Sequence, residues 1–366
     1  MGTTTYPYQP DTVTSPGYTL KEILEIKGMT QAELAERMER PQKTISEIIN
    51  AKTQITSETA VQLENVLGVP AEFWLNRESR YQEYLAKQRE VKTLQNQVSI
   101  LDDLPMRDLR KRDFISSTRD KITQVKDALK FYGVNNLKQI NKIYFGNYQY
   151  QFRKSDSYSP KKEHLAAWIR EGQIRADKIE TAPYDPSKFR EALNEIRHLS
   201  IEEPSVFEPK IDELCRNAGV AFVLVPQYQK CRTSGLARWL RTDKALIQLS
   251  LRYKTDDHFW FSFFHEAAHI LKHSKKTTFL DDYKGSKQVD EVEKEANDFA
   301  ADLLIPPEEF EELTKIYNLH KDDVIAFANS LAISPGIVVG QLQHKGIIKY
   351  SWMNDLKTTF EWTADV

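Results

Sequence analysis

Two histidines and a glutamate stand close together in FFHEAAHILKH, residues 263–273. His265 and His269 are four apart, so on a helix both imidazoles leave one face and can grip a single cation. Glu266 follows the first histidine, where it can take a proton from water activated at such an ion. Ala267 and Ala268 leave space around the pair. Chance alone yields H-E-x-x-H in roughly one or two chains of this length per hundred. The pattern by itself therefore competes with a core helix that happens to carry histidines. A tetrahedral catalytic zinc also needs a third protein ligand and an open position.

EVEKEANDFAADLLIP, residues 291–306, offers that ligand. Glu293 shares a helical stripe with Ala296, Asn297, Ala300 and Leu304, so a helix buried on that stripe carries one carboxylate inward. A buried carboxylate is costly without a counter-charge, and a metal ion removes the objection. Glu291 and Glu295 compete for the role, although Glu295 projects well away from Ala300. His273, Tyr253 and Tyr283 are candidates to steady an oxyanion. His273 follows His269 by another four residues and can equally be a polar residue ending the helix. His164, His198, His258, His320 and His344 lack metal-like company and read as surface or satisfied residues.

HEAAH followed some 24 residues later by E-x-x-A-N-x-F-A-A-x-L-L-x-P resembles the ImmA/IrrE metallopeptidases, over roughly residues 205–345. The resemblance implies Zn2+ held by His265, His269 and Glu293, with Glu266 as the catalytic base. It implies endopeptidase activity against a helix-turn-helix repressor or related regulator. It also implies that the strand before the metal helix, GLARWL, lines the cleft and pairs with an extended substrate, making Arg238 and Trp239 substrate contacts. The plainer alternative is a buried structural strand with an exposed arginine.

A second motif stands near the N-terminus. In residues 19–50, Leu34, Ala35, Ile45 and Ile48 are spaced to lock two helices across a tight turn. Gln31, Gln42, Lys43, Thr44, Ser46 and Glu47 then face outward as DNA-binding candidates. Glutamine reads adenine bidentately, while Lys, Ser and Thr reach phosphates or base edges. QAELAERM, PQKTISEIIN and ITSETAVQLENVLGVPAEFWLN resemble the XRE-type domain of HigA-like antitoxins over about 65 residues. Glu39 and Ala51 stand where that family commonly has glycine, and a positive φ at either costs about 1 kcal/mol.

The elements that must position these residues follow from the same reading. Residues 1–17, rich in Thr, Pro and Gly, read as a poorly ordered tail. Five short helices fill 18–85, the first capped by Thr19 and stopped at Gly28. Residues 86–200 are charged and helical and read as a spacer, with breaks at Gly133–Asn136 and Lys154–Lys161. From 201 to 366 a helix leads into AFVLVP, GLARWL and ALIQLSL as strands, then the metal helix capped by Asp256 or Asp257. The expected fold class is multidomain and mainly α with a small β-sheet: an N-terminal helix-turn-helix bundle, a helical spacer and a C-terminal α+β zincin-like domain.

The 366 residues exceed one ordinary core. With 51 basic against 53 acidic residues, nucleic-acid binding must come from a local basic face. Two cysteines cannot build a disulfide framework and fit a reducing compartment, so a cytoplasmic, membrane-free protein is expected. Three whole-chain readings follow: a DNA-binding regulator whose zinc endopeptidase domain cleaves a regulatory protein or toxin; a HigA-like antitoxin and repressor whose zinc fold is only a sensor or prop; and a peptidase whose helix-turn-helix recruits a protein. Operator DNA, a protein substrate and a second copy in a homodimer are the expected partners.

Overall fold

A computed structural model describes residues 13–145, 161–231, 233–273, 279–280 and 287–363. Two compact units emerge, Met1–Val98 and Ser99–Val366.

The first unit holds five helices: α1 (Pro16–Lys27), α2 (Gln31–Arg37), α3 (Gln42–Ile49), α4 (Ser57–Leu67) and α5 (Ala71–Gln95). Ser15, rather than Thr19, caps α1 by accepting from Tyr18 N, while Thr30 and Thr56 cap α2 and α4 in the same way. Gly28 and Gly68 close α1 and α4 in the left-handed region. Leu20, Leu24, Leu34, Ile45, Ile48, Leu63 and Trp74 form the core. Gly17 lets α1 touch the backbone of α3, because a Cβ there would collide with the Ile48 carbonyl. Helix α5 runs past position 85 to Gln95. Glu39 and Ala51 adopt φ of 52° and 54°, so both turns carry the strain that glycine would relieve.

The second unit opens with α6 (Met106–Lys111), α7 (Lys121–Tyr132), α8 (Ile140–Phe145), α9 (Lys162–Asp177) and α10 (Pro186–His198). Then come α11 (Pro204–Asn217), β1 (Val220–Leu224), β2 (Gly235–Arg241), β3 (Lys244–Leu249), α12 (Asp256–Lys272), β4 (Phe279–Leu280), α13 (Lys287–Leu304), α14 (Pro307–Thr314), α15 (Lys321–Ser330) and α16 (Pro335–His344). The strands order as β1-β3-β2-β4, with β1 parallel to β3 and the other pairings antiparallel. Period-two alternation splits the sheet cleanly. Phe222, Ile247 and Ala237 share the face that meets α12, where Phe263 packs edge-on against Phe222 at 5.5 Å. Gln248 lies on the opposite face, where it donates to the Trp168 carbonyl of α9 at 2.8 Å.

That second face corrects the expected spacer. From Ser99 onward the charged helical stretch belongs to the same compact unit as the sheet. Trp168 Nε1 donates to the Val225 carbonyl, and the Lys244 ammonium caps the end of α9 through the Ala176 and Ile179 carbonyls. Fully buried Glu171 pairs with Arg112 and Arg175, each at 2.7 Å, and accepts from the Tyr228 hydroxyl at 2.8 Å. A buried carboxylate satisfied on three sides joins α9 to the loop after β1, and removing one partner would strand a charge in the core. Of the expected breaks, Gly133 caps α7 at φ 65°, and positions 154–160 lie outside the described residues.

Candidate metal centre and DNA-facing helix

Helix α12 is buried along nearly its whole length between the sheet, α16 and α13. Small residues accompany the α12–α13 packing: Ala268 beside the histidines on one helix, Ala296 and Ala300 on the other, all fully buried. This packing brings His265, His269 and Glu293 together, with one ligand atom of each within 4.8 Å of the others. The two Nε2 atoms stand 3.1 Å apart, and Glu293 places one oxygen 3.2 Å from His265 Nε2 and the other 3.6 Å from His269 Nε2.

The donor set meets the requirement of a zinc ion. His265 Nδ1 lies 3.0 Å from Asn297 Oδ1; an amide oxygen only accepts, so Nδ1 carries the proton and Nε2 presents its lone pair inward. Burial, reinforced by the His265 and His273 imidazoles, holds the His269 imidazolium pKa far below its usual range, so that ring is neutral. Lone pairs and a carboxylate converging on one point repel unless a cation sits between them. Two nitrogens on a tetrahedral zinc with bonds of about 2.0–2.1 Å stand roughly 3.3 Å apart, close to the separation found.

Glu266 is fully buried beside the first histidine. Its carboxyl fills the space over Gly235 at the start of β2, where any Cβ would overlap Glu266 Oε1. The N-terminal end of α12 is fixed by two aspartates, and neither is its cap. Thr255 holds the cap position, while Asp256 accepts from Ser334 Oγ and from the Thr358 and Asp257 backbone N–H groups. Asp257 pairs with Lys357 at 2.7 Å. Gly336 and Gly340 on α16 leave room for these two side chains.

The remaining candidates are distributed otherwise. Arg238 lies on the α9 face of the sheet, its guanidinium against the Gln173 side-chain amide, across the sheet from α12. Trp239 packs edge-on against Tyr184 at 4.7 Å, and β4 takes the β2 edge at Leu236 and Ala237. Both expected substrate contacts thus pack against other parts of the second unit, Arg238 beside Gln173 and Trp239 beside Tyr184. Tyr253 stacks on His258 at 4.2 Å at the far end of α12, and Tyr283 lies outside the described residues. His273 faces Glu295 and His269 instead of open space. His164 and His198 meet the Gln229 and Ala332 carbonyls, and His320 caps α15. Asn297 was legible only as a member of the Glu293 stripe; its i+4 spacing from Glu293 is the signal that places it under the same site.

In the first unit, Gln42 and Lys43 are exposed at the start of α3, with Ser46 and Glu47 partly exposed on the same side. Ile45 and Ile48 anchor the other side at no more than 2% exposure. Thr44 is partly exposed like Ser46 and Glu47, and Gln31 begins α2 half-buried. Lys43 reaches Glu47 at 3.8 Å, an exposed pair that solvent leaves weak.

The two halves are those of a helix-turn-helix regulator with a metallopeptidase-like domain. Residues 20–74 match the helix-turn-helix family and residues 232–339 the IrrE N-terminal-like domain. The chain belongs to the XRE-type helix-turn-helix family through its first unit and carries an IrrE-like domain in its second. It is 41% identical to virulence-associated protein A of Dichelobacter nodosus over 68 residues, 18% of this chain and 67% of that protein. It is also similar to the structure of an addiction module antidote protein of a HigA family from Coxiella burnetii, with 28% identity, 23% of this chain, 92% of that one and a TM-score of 0.21. A Nostoc punctiforme protein described as an antidote of a plasmid maintenance system shows 30% identity, 21% and 84% coverage and a TM-score of 0.20. No single helix among the described residues is long and apolar enough to cross a membrane.

Proposed function

We propose that this DNA-binding regulator is also a zinc-dependent endopeptidase that cleaves a regulatory protein. The observation that carries the reading is the convergence of His265, His269 and Glu293 beside a buried carboxylate, Glu266. A purely structural zinc has no use for Glu266. His265, His269 and Glu293 would hold a zinc ion, which would supply Lewis-acid polarisation of a scissile carbonyl and lower the pKa of a water toward ~7. Glu266 accepts the proton of the attacking water and returns it to the leaving amine nitrogen. Burial between α12 and β2 keeps that carboxylate oriented and dry. Beyond Ala237 no strand among the described residues pairs with the outer edge of β2, and an extended substrate backbone can add there.

The regulator half binds operator DNA as a homodimer through α3, with Gln42 and Lys43 foremost. The exposed polar side of α3, opposite its isoleucine anchors, supports that reading. The test combines metal analysis with a trap. Purified protein should carry about one zinc per chain, and Glu266→Gln should keep the zinc, lose cleavage of a co-expressed partner and retain that partner bound. Cleavage that persists in this variant removes Glu266 from the role of base.

A further inference from the structure

We infer that His273 and Glu295 form a positioning relay that sets the tautomer of His269 and turns its Nε2 lone pair toward the metal centre. The inference rests on the metal reading above and adds two residues to it. Glu295 Oε2 stands 3.3 Å from His273 Nε2, and His273 Nδ1 stands 2.9 Å from His269 Nδ1. His269 Nε2 belongs to the cluster with His265 and Glu293. The contacts run in one line from a carboxylate on α13, through the residue that caps the metal helix, to a ligand.

With His269 Nε2 turned to the metal centre, one proton placement along that line fits the three contacts. An ionised carboxylate only accepts, so His273 Nε2 carries a proton and donates it to Glu295. A His269 ring whose Nε2 faces the ion carries its proton on Nδ1, 2.9 Å from His273 Nδ1, and the His273 nitrogen accepts it. With its proton on Nδ1, His269 presents an unprotonated Nε2 to the ion. Glu295 also accepts from the Lys272 ammonium at 3.1 Å, which holds its carboxyl beside His273. His265 receives the same service from Asn297 Oδ1, so both ligand histidines are oriented by an acceptor-terminated contact, one direct and one relayed.

Geometry sets this apart from a merely polar helix end. The His273 side chain is 7% exposed, although it closes α12 at the surface. Its ring centroid lies 5.0 Å from that of His269, and its backbone N–H still donates to the His269 carbonyl at 3.2 Å. Glu295, in contrast, is half exposed, and on a solvated face it would gain little by holding one orientation.

Zinc affinity of the full chain, measured by competition with a chromophoric chelator, tests the relay. His273→Leu keeps the bulk and removes the acceptor; affinity should fall about 10- to 100-fold. His273→Gln restores an acceptor for His269 Nδ1–H and should recover most of it. Glu295→Gln should fall between the two, and Glu291→Gln, one turn away, should match the wild type. Thermal unfolding of the metal-free variants separates affinity loss from misfolding. Imidazole nitrogen NMR of the metal-free chain should show His269 protonated at Nδ1, and at Nε2 in His273→Leu or in an equal mixture. Zinc affinity within twofold of wild type in His273→Leu, or a wild-type His269 protonated at Nε2, overturns the relay. Failure of the wild type itself to bind zinc, with His269→Ala no different, overturns the metal reading instead, and the NMR then decides the relay alone.

Discussion

Gly235 and Glu266 share one volume: the carboxyl of the helix residue occupies the space that any side chain on the strand residue would claim. The requirement is close approach. A strand residue with no Cβ lets β2 pass directly over the helix that carries both histidines.

Gly235→Ala should therefore act through Glu266. The added methyl must push the carboxylate aside, and a displacement of about 1 Å costs on the order of 10²-fold in rate. Zinc content should stay near the wild-type level, because His265, His269 and Glu293 are left in place. Parallel measurement of cleavage and metal content decides it; equal loss of both would mean that the helix itself had shifted.

Metal removal should cost stability, because it leaves three acceptors facing one another. In a free zinc concentration 100-fold above Kd, the folded chain gains about 2.7 kcal/mol. A chelator should accordingly lower the Tm of the second unit. In Glu293→Ala the chelator should have no effect. A chelator-sensitive Tm in that variant would place the ion elsewhere.

Asp256 should give the fold a pH dependence. Burial pushes its carboxyl up to about 6 from an ordinary 3.8, and the neighbouring Asp257 adds to the rise against the lowering effect of Ser334. A raised carboxyl pKa means that the fold favours the protonated form. That contribution is fully present below pH 3.8 and lost as pH rises through about 6. Asp256→Asn retains an acceptor for the backbone N–H groups and a donor for Ser334. Relative to this variant, the wild type should lose about 2.4 kcal/mol between pH 4 and pH 7. Denaturant titrations at the two pH values measure it; parallel curves would refute the shift.

On the DNA side, Lys43→Ala should weaken operator binding uniformly across sequences and reduce the salt slope by about one. Gln42→Ala should instead cost about 1–3 kcal/mol at one base position and relax specificity there. Footprints of both variants at two salt concentrations distinguish them. An unprotected operator in the wild type would remove α3 from the recognition role.

Much of the site was legible before the fold. Four-residue spacing places His265 and His269 on one side of a helix, and the Glu293–Ala296–Ala300–Leu304 stripe predicts which carboxylate turns inward. Ala296, Ala300 and Leu304 are buried as that stripe requires. Glu39 and Ala51 were likewise identifiable as positions of positive φ by comparison with glycine usage. The surroundings of Arg238 and Trp239 were not: strand alternation says that the two oppose each other, but not which of them meets α12.

What the amino-acid order alone determined is therefore local: helical period, strand period, the ligand triad's spacing and the chemistry of a two-histidine, one-carboxylate set. These depend on backbone geometry that repeats within a few residues. Only the tertiary structure decided that Arg238 turns to α9, that residues after Ser99 build a layer of the sheet, and that Glu295 reaches His273 from a different helix. Such pairings arise from competition among many faces for burial, and a partner twenty or a hundred positions distant leaves no periodic trace in the chain.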